Sequence, residues 1–309
     1  MARATDRIRH AAADRLKAVA PIEMRRRLVR WRLRTRRRTA DHRLLPDVLI
    51  LGGQRCGTSS LYKYLGRHPN VVPSLRKEVD YFTFEYWRGE DWYRAHFPLG
   101  MRRSLADRRG RPMVTFEATP DYLFDPRAPQ RAHELVPEAK LIALLRDPAQ
   151  RAVSQYHHNR RLDHEPLPLL DALRAEDERL EGELERLEAD PRYRALPLRR
   201  HSYVQRGLYA EQLERWLHVY PRTQLLAVKF ESLIADPVKT LATIQDFVGI
   251  PRWEPPEFRN HSYVASGGSS YDRPSDAVHE FLAKKFAGPN ARLVELLGEE
   301  YRWDASALR

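Results

Sequence analysis

A chain of 309 residues, 42% hydrophobic and 31% charged, has the composition of a globular protein with room for one large α/β domain or two small ones. It contains no run of about 18 apolar residues and no apolar signal core at the N-terminus, so neither a membrane-spanning helix nor a secretory leader is expected. The single cysteine, Cys56, excludes an internal disulfide, and no Cys/His cluster has zinc spacing, so a cytoplasmic protein without a metal is expected.

The formal charge of +12 is concentrated at one end. Residues 1–43 hold 14 Arg and one Lys against three Asp and one Glu, a net +11, which leaves +1 for the rest of the chain. Between Arg25 and Arg38 the arginines alternate with Leu28, Val29, Trp31 and Leu33. This pattern reads as a basic helical or disordered arm, followed by a folded domain over 44–309. Two readings stay open: attraction to an anionic surface, which would put the protein at a membrane periphery, or a solvated helix.

From Val48 the chain alternates strands and helices, the pattern of a parallel α/β sheet. Val48–Leu51 reads as a buried strand, Ser59–Arg67 as its helix and Asn70–Val72 as a short second strand. Val114–Glu117 and Leu141–Leu145 read as further strands, the latter ended by Arg146-Asp147-Pro148 and followed by a helix through Ala152–Tyr156. The charged stretch 171–190 carries Leu173, Leu180, Leu184 and Leu187 at helical spacing and predicts one two-faced surface helix. A helix over Gly207–Val219, a strand over Leu225–Phe230 and a helix over Pro237–Phe247 follow. The last helical stretch, Ala277–Leu297, is expected to break near Gly288-Pro289. The fold class predicted is a P-loop-like three-layer α/β fold, a central mostly parallel sheet flanked by helices.

The most informative segment is Val48 to Leu65. An apolar strand, the glycines Gly52 and Gly53, and then a helix start at Arg55–Ser60 form a geometry that cradles a phosphate on backbone N–H groups. Gly52 and Gly57 have the spacing of a nucleotide triphosphatase loop, G-x-x-x-x-G-K-[ST], but Thr58 stands at the lysine position. Arg55 supplies a fixed cationic fork instead. A second element, Leu144 to Tyr156, places Arg146 at the carboxyl end of a strand and Ser154 eight residues on, an arginine and a hydroxyl suited to one phosphate.

With these two motifs the chain resembles the sulfotransferases that use 3′-phosphoadenosine 5′-phosphosulfate (PAPS), most closely the carbohydrate and heparan sulfate O-sulfotransferase branch and its bacterial relatives. The similarity runs from about Val48 to Gly298 and includes Lys77-Glu-Val-Asp-Tyr-Phe82 and Phe116-Glu-Ala-Thr-Pro-Asp-Tyr122. The resemblance implies that Arg55, Cys56, Gly57, Thr58, Ser59 and Ser60 bind the 5′-phosphosulfate and that Arg146 and Ser154 bind the 3′-phosphate. It implies Glu78 as catalytic base, with Asp80, which stands where heparan-type relatives often carry His, as rival or helper. Arg55 would stabilise charge on the leaving phosphate. Glu117, Asp121 and Asp80 would face the acceptor, and Gly268, Ser269 and Tyr271 would lie in a loop closing over the nucleotide. The implied partner is an acceptor with a free hydroxyl, on a glycan, a glycolipid or a small molecule; no metal and no nucleic acid is expected. The rival readings are a P-loop kinase or nucleotide triphosphatase, and a protein bound to an anionic surface through residues 1–43.

Overall fold

The computed structural model describes residues 22–255 and 274–303. Its sheet has five strands: β1 (Val48–Ile50), β2 (Val71–Pro73), β3 (Val114–Ala118), β4 (Lys140–Leu145) and β5 (Leu225–Lys229). They run in the order β2-β3-β1-β4-β5, and every pairing is parallel. β1 and most of β4 and β5 read as apolar runs because both faces of the sheet are covered. Leu49, Leu141, Leu145, Leu225 and Ala227 enter one core, and Val48, Ile50, Phe116, Ile142 and Val228 enter the other.

β1 lies at the centre, with β3 on one side and β4 on the other. The connections therefore diverge around the carboxyl end of β1 and open a crevice there, the place where open α/β sheets bind ligands. Three helices frame it: α2 (Thr58–Leu65) after β1, α3 (Pro148–Arg161) after β4, and α4 (Tyr209–Val219), whose Tyr209, Leu213 and Trp216 are buried.

Ahead of the sheet, α1 (Ile22–Arg37) packs Val29 and Leu33 against the larger core. Arg36 and Arg43 both donate to the Phe97 carbonyl, and Arg43 bridges to Leu99. The described part of the basic segment is thus fastened to the domain over residues 29–43.

Two expectations fail. The stretch 171–190 is not one helix but three, Leu169–Arg174, Glu176–Leu180 and Glu183–Ala189. Gly182 turns the chain at φ 70°, and Glu176 is drawn inside, where its carboxylate accepts the amides of Val204 and Gln205 at 2.6 and 2.8 Å. Of the four leucines at helical spacing, Leu173, Leu180 and Leu187 are buried and Leu184 is exposed. Conversely α5 (Asp276–Leu297) runs unbroken through Pro289. Burial of Val278, Leu282 and Phe286 before the proline, and of Leu293 and Leu297 after it, outweighs a local cost of about 3 kcal/mol.

Candidate active site

The loop after β1 continues the sheet's hydrogen bonding before turning into α2. Leu51 and Gly53 donate to the Ile142 and Leu144 carbonyls at 2.9 and 2.8 Å. The turn then needs left-handed backbone, at Gly52 (φ 40°), Arg55 (φ 70°) and Gly57 (φ 86°). A Cβ on Gly57 would lie 2.6 Å from the Phe230 ring, so a larger residue is excluded by contact as well as by conformation. The amides of Cys56 and Ser60 are already committed within the loop, to Gly53 and Gly57 carbonyls at 3.1 and 3.0 Å. The anion cradle therefore narrows to Gly57, Thr58 and Ser59, at a helix start whose first amides have no helical partner. The Thr58 side chain itself is buried, against Gly52.

Cys56, proposed for the donor site, contributes only its backbone position. Its side chain is fully buried, with the Tyr209 hydroxyl 3.6 Å from the sulfur, and burial pushes the thiol up to about 11. The same hydroxyl donates to the Arg146 carbonyl at 3.0 Å, so Tyr209 ties the two motifs together from beneath.

The two motifs also meet at the surface of the crevice. Arg55 Nε donates to Ser154 Oγ at 3.2 Å across 99 residues of sequence. Arg146 lies over the Phe230 ring at 5.1 Å and donates through Nη2 to Gln150 at 3.2 Å. Its Nε is buried with no partner among the described residues. Asp147 caps α3 by accepting the Gln150 amide at 2.7 Å, which fixes the helix on which Ser154 rides. One turn earlier on α3 is a residue that spacing did not single out, Arg151. It is fully buried and donates to Gln155 at 2.7 Å and to the Tyr203 carbonyl. The only signal for it was a second arginine in the run from Arg146.

The opposite wall is the segment after β2. Glu78 is exposed, holds φ 59°, donates its amide to the Ala118 carbonyl at 2.9 Å, and pairs with Lys77. Asp80, at φ 60°, points inward with Oδ1 buried and without a partner among the described residues. Burial, helped by the charges of Asp121 and Glu78, pushes its carboxyl up to about 7. His158 on α3 feels both Arg55 and Glu78, which places the phosphate loop and the carboxylate wall in one electrostatic neighbourhood; burial, then Arg55, holds its imidazole below its ordinary value.

Two proposed acceptor contacts prove internal. Glu117 is completely buried and accepts from the Tyr93 hydroxyl, from Tyr122 at 3.0 Å and from Thr119 at 3.0 Å, so it has no surface to offer an acceptor. Burial pushes it up to about 7. Asp121 is occupied by Arg206 at 2.7 Å and Arg199 at 3.4 Å. Burial alone would raise its carboxyl, but these guanidiniums hold it below the usual range. Both residues brace the wall that carries Asp80. Gly268, Ser269 and Tyr271 lie outside the described residues. Among the described residues no group of His, Cys, Asp and Glu has the arrangement of a metal site.

A family model described as "Sulfotransferase domain" matches residues 45–265. The human heparan sulfate glucosamine 3-O-sulfotransferase 6 is 30% identical over 291 residues, covering 84% of this chain and 74% of that protein. The human bifunctional heparan sulfate N-deacetylase/N-sulfotransferase 3 is 34% identical over 227 residues, covering 70% of this chain and 23% of the relative. Among solved structures, a sulfotransferase from Alicyclobacillus acidocaldarius superposes with a TM-score of 0.59 at 29% identity, covering 82% of this chain and 96% of that one.

Proposed function

This chain belongs to the PAPS-dependent sulfotransferase family, and from that premise we propose that it moves a sulfuryl group to a hydroxyl on a carbohydrate or glycolipid acceptor, with a carboxylate base. The observation that carries the donor reading is the Arg55–Ser154 hydrogen bond, which brings two anion-binding motifs onto one crevice. The residues fit such a donor. Gly57, Thr58 and Ser59 offer amides at a helix N-terminus, Arg55 offers a fixed charge on Ser154, and Arg146 Nε is buried with no partner among the described residues. When bound, PAPS supplies an activated sulfur–oxygen bond with a phosphate as leaving group.

In this reading Arg146 and Ser154 hold the 3′-phosphate and the loop holds the 5′ end. Arg55 steadies the charge that grows on the leaving oxygen, an electrostatic role that needs no proton transfer. Glu78 receives the acceptor's hydroxyl proton as that oxygen attacks sulfur. Its exposure and its proximity to His158, which Arg55 also influences, support this assignment. Asp80 is the second candidate, favoured by its unpartnered oxygen and by a carboxyl poised near neutrality. The carbohydrate acceptor is supported by the two heparan sulfate-modifying relatives.

Transfer of labelled sulfate from PAPS to a glycan panel tests both candidates. Glu78→Gln is expected to keep nucleotide affinity and to lower turnover by at least about a hundredfold. Asp80→Asn is expected to keep a measurable rate. Full turnover in Glu78→Gln, with a rate that rises through about pH 7 and loses that rise in Asp80→Asn, would move the base to Asp80.

A further inference from the structure

The helix α1 has two apolar sides, and the domain covers only one of them. Val29 and Leu33 face the core, and Arg36 reaches the Phe97 carbonyl. Met24, Leu28 and Trp31 are 55%, 47% and 61% exposed. Their i, i+4, i+7 spacing draws them into one stripe, and at about 100° per residue that stripe lies roughly opposite Leu33. Arg27, Arg30, Arg32 and Arg34 around it are all exposed. The helix as a whole holds eight Arg against one Glu.

A solvated arginine helix has no use for an uncovered Met-Leu-Trp stripe, and a purely electrostatic partner such as a nucleic acid would not require one. A lipid surface uses both features: apolar side chains sink below the headgroups, tryptophan settles at the interface, and the flanking arginines meet anionic headgroups. We propose that the exposed face of α1 is a docking surface for an anionic lipid membrane, with Leu28 and Trp31 inserted and the flanking arginines on the headgroups. No helix among the described residues is long and apolar enough to cross a membrane.

The placement leaves the crevice free. Residues 43–47 deliver the chain from α1 to the amino end of β1, whereas the phosphate loop leaves its carboxyl end. In a sheet whose strands are all parallel, these lie at opposite ends of the strands. The proposal is independent of the reaction the crevice performs, and its test reads binding rather than turnover.

The full chain is sedimented with vesicles of phosphatidylcholine alone and of phosphatidylcholine mixed with phosphatidylglycerol. It is expected to pellet with the mixed vesicles and to stay in solution with the neutral ones. Leu28→Ser/Trp31→Ser together are expected to weaken partitioning by about tenfold or more, the change produced when roughly 60 Å² of apolar surface no longer leaves water. Because both side chains are exposed, the unfolding temperature is expected to stay that of the parent, and Trp31→Ser alone gives a milder second variant. A parent chain that does not pellet, or pellets equally with neutral vesicles, overturns the proposal. So does a double variant that still pellets like the parent and releases in salt, the behaviour of a polyelectrolyte contact. A concentration-dependent dimer that the double variant abolishes, without vesicle binding, gives the face to a second copy of the chain instead.

Discussion

Among the described residues, five that are not glycine hold positive φ, and three of these are Arg55, Glu78 and Asp80. Left-handed backbone at an ordinary residue costs of order 1 kcal/mol and persists only where the surroundings enforce it, so its collection on two facing walls marks the crevice as the place where the fold spends stability on position. The deeper wall is held by Glu117. Its carboxyl titrates near 7 in the folded protein, against about 4.3 when unfolded, so the folded state holds the extra proton between those values and stability falls as pH rises across them. Glu117→Gln keeps an acceptor for the Tyr93 and Tyr122 hydroxyls and removes that titration. Relative to the parent it is expected to gain on the order of 2–3 kcal/mol between about pH 4.5 and pH 8, read from urea unfolding at both values. Glu117→Ala takes away the acceptor to which both buried hydroxyls donate and is expected to lose about 2–4 kcal/mol. Equal pH dependence in Glu117→Gln and parent would contradict this assignment. The residue also shows where sequence reading stops. Arg55, Arg146 and Ser154 were legible because strand ends and helix starts are local signals, whereas Glu117 read as a cleft carboxylate because its enclosure comes partly from Tyr93, 24 residues away.

At the scale of elements, the β1–loop–α2 unit is the part of the site that sequence specifies most fully. Its apolar strand, its two glycines and its helix start each obey a local rule, and all agree. Gly57 concentrates these demands. Gly57→Ala combines a left-handed penalty of about 1–2 kcal/mol with a collision against Phe230. It is expected to lose at least about tenfold in affinity for adenosine 3′,5′-bisphosphate, measured by calorimetry, because α2 must shift to relieve the contact. An unchanged affinity would mean that the cradle does not depend on this turn. The charged stretch 171–190 shows the opposite case. Its leucine spacing suggested one helix, but the buried Glu176 binds the distant Val204 and Gln205 amides, and that long-range demand breaks the helix.

At the scale of the molecule, the order β2-β3-β1-β4-β5 explains why motifs about 90 residues apart act as one site. β1 and β4 are neighbours in register, Val48 opposite Lys140, so the loops that follow them emerge side by side. Alternating apolar strands and helices made the parallel sheet legible, while strand order, fixed by packing of both faces, became visible only in the fold. The +11 of residues 1–43 was read as one arm; the structure fastens its last part to the domain through Leu33, Arg36 and Arg43 and leaves a separate face outward. The central claim is that the crevice at the end of β1 is built for a 3′-phosphorylated nucleotide held by Arg55, Arg146 and Ser154. Calorimetric titration with adenosine 3′,5′-bisphosphate tests it most directly. One site per chain is expected, unchanged in Glu78→Gln and weakened at least about tenfold in Arg146→Ala and in Ser154→Ala. No binding by the parent, or equal binding by these two variants, would contradict it.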